Sequence, residues 1–151
     1  MVIPDRMQSD SAHCGPVAIA NALGIKAAQV MANWPDKWTD HRTERKWWLW
    51  PIDTPWNHRK YLASINRLAV EIDQPEANAI ALIHNVNAGR NPITQFICGL
   101  IYQHWVRILS VTPNQVTLDW GTEETPIRIY DRDSFMRLVN GAWPKSMYRI
   151  E

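Results

Sequence analysis

From Val17 to Leu23 the chain is apolar at every position except Asn21, and Gly24 closes the run. So uniform a stretch has no polar face to offer water, which points to a helix buried at the centre of the fold with other elements packed around it. Ser9, Asp10 and Ser11 are suitable caps for a helix beginning near Ala12, because short oxygen-bearing side chains accept from the first unpaired N–H groups. Pro16 fits only the first turn, where its missing N–H costs nothing. Cys14 therefore belongs at or beside the N-terminus of this helix.

The other elements follow from similar signals. A short helix is expected from about Lys26 to Asn33, and residues 35–53 read as loop. A helix starts at Thr54-Pro55 with Tyr61, Leu62, Ile65, Leu68 and Ala69 on one stripe. Ala69 to Ile72 reads as a short extended piece. Gln74-Pro75 is expected to open a further helix carrying Ala77, Ile80, Ala81 and His84, with its exit at Gly89. After Pro92 the pattern turns to strands: Ile93 to Leu100, Trp105 to Val111, Gln115 to Trp120 and Pro126 to Tyr130. Asp131 or Asp133 caps a last helix through Phe135, Leu138 and Val139, and Met147 to Ile150 supplies a closing strand. Helices first and an antiparallel sheet after them make an α+β chain. With 151 residues, 46% of them apolar, residues 1–151 suit one domain with a real core.

A net charge of +1 gives no electrostatic reason to expect nucleic acid or an acidic membrane as partner. No run approaches the roughly 18 apolar residues of a membrane span. The opening Met1-Val-Ile-Pro-Asp-Arg6 lacks the pattern of a signal sequence. The expected location is cytoplasmic, or outside the cell by a route without a cleaved leader. Cys14 and Cys98 do not imply a disulfide framework, and Cys98, in Phe96-Ile97-Cys98-Gly99, reads as strand packing. Nine tryptophans stand out, five of them between Trp34 and Trp50. They either glue an irregular segment to the core or form an aromatic wall beside a substrate groove, with Trp47, Trp48 and Trp50 as candidate contacts.

Three residues suggest chemistry. Cys14 sits where unpaired N–H groups and the helix dipole favour a thiolate. His104, at the mouth of a strand, is held rigidly enough to pair with that thiol and later protonate a leaving amine. Asp119 ends the next strand, which a turn near Pro113-Asn114 folds back beside the first. Its carboxylate then suits the third role of a triad, accepting the other imidazole N–H and fixing the tautomer. Gln8 is a candidate oxyanion donor together with the Cys14 backbone N–H. His13, Gly15, Trp105 and Trp120 flank these residues and are candidate substrate contacts.

Gln8, Cys14-Gly15-Pro16 with its apolar helix, His104-Trp105-Val106 and Asp119 together resemble the C39-like branch of papain-like cysteine peptidases. The resemblance spans most of the chain but not residues 34–56. It implies a papain-like fold, with the nucleophile at a helix start packed on a C-terminal antiparallel sheet. It also implies a Cys14–His104–Asp119 triad acting through a thioester on a peptide or protein substrate, with no cofactor or metal. Trp120 stands where that family often has proline, and this departure bears on the turn after the aspartate.

Other readings are narrower. Glutamine deamidation or acyl transfer would use the same thioester. A binding protein with a papain-like shell and an inert thiol would need no intact triad. A zinc site on Cys14, His13 and His104 lacks the paired ligand spacing of such sites. The basic stretch Arg42 to Lys46 is balanced by nearby acids and reads as a solvated loop.

Overall fold

The computed structural model describes residues 14–35, 54–84, 103–122, 126–142 and 144–151. The apolar run forms helix α1 (Cys14–Leu23), buried from Gly15 to Asn21. Gly24 ends it in the left-handed region at φ +71°, and Ile25 N–H donates back to the Ala20 carbonyl at 3.0 Å. That is a Schellman closure, which needs a residue tolerant of positive φ at this position. Helix α2 (Ala27–Ala32) follows at once, burying Val30 and Met31.

Helix α3 (Pro55–Ser64) starts as its sequence suggests: Thr54 caps it by accepting from Asn57 N–H at 3.2 Å, and Pro55 fills the first turn. Thr54→Ala should lower stability by about 1 kcal/mol, read as a shift of the urea midpoint. The expected apolar stripe is cut short. Asn66 takes φ +61°, which a right-handed helix cannot accommodate, so Ile65 and Leu68 fall beyond the helix and are exposed. The chain then forms strand β1 (Ala69–Glu71).

The helix expected from Gln74 does not form. Asn78 turns the chain at φ +68°, and residues 80–84 become strand β2 (Ile80–His84). The five-residue apolar run from Ala79 to Ile83 suits a strand covered on both faces as well as a helix, and β2 lies inside the sheet between two partners. The remaining elements are β3 (Gln103–Val111), β4 (Gln115–Asp119), β5 (Ile127–Asp131), α4 (Arg132–Asn140) and β6 (Met147–Ile150). Asp131 caps α4, accepting from Ser134 N–H at 2.8 Å.

The strands make one six-stranded sheet in the order β1-β6-β2-β3-β4-β5, with every pairing antiparallel. The fold is α+β. Side chains alternate between the two faces of the sheet, and each face has its own core. On one face Ile80, Leu82, Trp105 and Tyr148 pack against Val17 and Ala20 of α1, Val30 of α2 and Tyr61 and Leu62 of α3. On the other, Ala81, Ile83, Val106, Ile108, Leu118 and Trp120 pack against Phe135, Leu138 and Val139 of α4.

Candidate active site

Cys14 is the first residue of α1 and is partly exposed. The first N–H groups of a helix have no partner within it, and the dipole places positive charge there. One turn further on, Val17 rests against the end of β4: a Cβ on Gly121 would lie 3.3 Å from Val17 Cγ1. Gly121 also holds φ +80°. Both its missing side chain and its conformation are needed to bring this backbone against the helix.

His104 lies near the start of β3, opposite Ile83 of β2. It is 8% exposed. Its Nε2 lies 2.6 Å from the Trp120 carbonyl oxygen. A carbonyl only accepts, so Nε2 carries the hydrogen. The imidazole lies over the Trp120 ring at 4.7 Å between centroids, and the Arg128 guanidinium sits 3.8 Å from the centre of that indole. Burial pulls His104 down to about 4; the Trp120 carbonyl works against this and the Arg128 charge adds to it. Near neutral pH the ring is uncharged, with its lone pair on Nδ1.

Asp119 ends β4, is 2% exposed, and accepts from Gly121 N–H at 3.0 Å through Oδ1. Its strand does fold back beside that of His104, but the register separates the two side chains. Asp119 pairs with Arg107, three positions from His104, so the two project from opposite faces. A bulge is the cause. Pairing passes from Ser110↔Thr117 to Ile108↔Leu118, leaving Leu109 as an extra residue in β3. An uninterrupted ladder would have set Asp119 opposite Ile108, on the face of His104.

The structure thus gathers Cys14 and Asp119 on the α1 side of the sheet and turns His104 to the α4 side. The two sides meet at Asp119-Trp120-Gly121. Gly121 touches α1, the Trp120 carbonyl holds His104, and the Asp119 carboxylate closes the turn between them.

Three residues expected to contact substrate are buried. Trp105 is 2% exposed, its ring 3.9 Å from that of His58 between centroids, because strand alternation turns it under α1. Gly15 is buried within α1. Trp120 is held between His104 and Arg128. Gln8, His13, Trp47, Trp48, Trp50 and Cys98 lie outside the described residues, as do the proposed caps Ser9 to Ser11 and the strand expected from Ile93 to Leu100.

Sequence reasoning passed over His58. It is fully buried on α3, with Nδ1 2.6 Å from the Tyr148 hydroxyl and its ring edge-on to Trp34. Burial, and then the charge of Arg59, pull it down to about 3. A lone histidine among polar helix residues gives no sign of this; only the sheet position of Trp105 does. Among the described residues no group of three His, Cys, Asp or Glu side chains is placed to hold a metal ion. None of the described helices is long and apolar enough to cross a membrane.

Neither the protein-family models nor the curated proteins compared with this chain give a match.

Proposed function

We propose that this protein is a thiol hydrolase of papain-like type that cleaves peptide or isopeptide amide bonds, with Cys14 as nucleophile and His104 as base. In this reading the Cys14 thiolate adds to the amide carbonyl carbon, with the oxyanion taken by Gln8 and the Cys14 backbone N–H. His104 accepts the thiol proton and delivers it to the departing amine. Water then hydrolyses the thioester, releasing the acid and restoring the thiol. Asp119 supports the histidine. Deamidation of glutamine or transfer to another acceptor would run through the same thioester.

The observation that carries this reading is the Asp119-Trp120-Gly121 turn. It joins the start of the Cys14 helix, through the Val17–Gly121 contact, to the carbonyl that holds the imidazole in its Nε2–H form. That tautomer leaves a basic nitrogen.

A second reading has an observation of its own. His104 is buried on the α4 face, pulled down to about 4, while Cys14 packs on the α1 face. This favours a binding protein that keeps the shell without the chemistry.

Alkylation of Cys14 across a pH series, with mass mapping of the labelled thiol, separates the two. A hydrolase should label fast, with a thiolate plateau reached below the free-thiol pKa of about 8.5, and lose that plateau in His104→Ala. Labelling that follows an ordinary thiol and ignores His104→Ala would leave the binding protein.

A further inference from the structure

The role usually given to a triad carboxylate is divided here between two groups. We infer that His104 is oriented by the Trp120 main-chain carbonyl, and that Asp119 is a positioning residue acting through the turn that aims this carbonyl. The inference deepens the hydrolase reading and rests on His104 being its base.

Three observations support it. The bond between His104 Nε2 and the Trp120 oxygen is short, at 2.6 Å, and buried. Because a main-chain carbonyl has no donor state, it selects the Nε2–H tautomer. A carbonyl oxygen also accepts more strongly from a charged ring, so it pulls His104 upward against burial and favours an imidazolium during proton transfer. Asp119, meanwhile, faces the other side of the sheet and spends Oδ1 on Gly121 N–H, two residues along. An Asp side chain bonded to the N–H two positions on is an Asx turn, which fixes the backbone between them. The residue between them is Trp120. Gly121 completes the device, since its φ of +80° and its close approach to Val17 leave the peptide little freedom to rotate.

A carboxylate bonded directly to an imidazole is needed for its charge. Closing the Asx turn calls for an acceptor oxygen, which Asn supplies as Asp does. Asp119→Asn is therefore the deciding variant.

The experiment uses the full chain with nitrogen-15 in its imidazoles. Long-range proton–nitrogen spectra near pH 7 read the His104 tautomer in the wild type, Asp119→Asn and Asp119→Ala, and Cys14 alkylation is followed in each. The expected result is an Nε2–H tautomer in the wild type that Asp119→Asn preserves. Asp119→Ala should mix the tautomers and slow alkylation about tenfold. An Nδ1–H tautomer in the wild type would overturn the inference, as would an Asn variant whose His104 tautomer changes. Should the Ala variant fail to fold, wild type and Asn still decide. The tautomer reads this inference, whereas the response of Cys14 to His104→Ala reads the hydrolase proposal, so either can fail without the other.

Discussion

Moving from about pH 6.5 to about pH 5 should cost this fold about 3 kcal/mol of stability, through two buried imidazoles. His58 and His104 are pulled to about 3 and about 4 in the folded chain, against 6.5 for an ordinary histidine. Below 6.5 the unfolded chain therefore binds protons that the folded chain refuses. Stability is full above 6.5 and falls as the pH drops, until about 4 for His104 and about 3 for His58. Each group removes about 1.4 kcal/mol per pH unit inside its window. Both side chains are buried, so solvent does little to relieve the penalty. Urea unfolding followed by tryptophan fluorescence at several pH values measures the slope, and His58→Phe should halve it. A flat profile between pH 6.5 and 5 would mean that neither ring is desolvated in solution, and the two-faced core would have to be redrawn.

The dependence on neutral histidines was hidden in the sequence, and the reason shows what sequence reading can reach. Elements marked by their own end signals were legible: Gly24 closing α1, Thr54-Pro55 opening α3, Asp131 starting α4. These signals are local, and the chain obeys them. The error over β2 was also local, since Ile80-Ala81-Leu82-Ile83 carries no period that separates a buried strand from a buried helix. What no local pattern encodes is the pairing. The insertion of β6 between β1 and β2 joins residues far apart in the chain, and only the sheet decides which side chains share a face. The three candidate residues do lie on adjoining elements, α1, β3 and β4. The bulge at Leu109 then turned Asp119 to the opposite face from His104. One extra residue changed which side chains share a face, because a strand's side chains repeat every two positions. Trp120 entered the site by its main chain, which a reading of side-chain types could not foresee.

Trp105 provides a large effect of a different kind. Trp105→Ala should destabilise the protein by about 3–5 kcal/mol. Its ring is buried to 2% exposure among Val17, Leu82 and Tyr61, its centroid 3.9 Å from His58 and 6.1 Å from Tyr148. Removing it deletes the wall that α1 and α3 share and leaves a cavity the sheet cannot close. Trp56→Ala is the control: that indole is 56% exposed on α3, and its loss should change stability by no more than about 0.5 kcal/mol. The two effects predicted here are also coupled. The cavity left by Trp105 opens beside His58, whose Nε2 has no hydrogen-bond partner among the described residues, so water can reach that nitrogen and the ring should titrate nearer 6.5. Trp105→Ala should therefore lower stability at neutral pH and flatten its fall toward pH 5. Loss of stability with an unchanged acid slope would separate the ring from His58. A variant that kept wild-type stability would return Trp105 to the candidate substrate contacts.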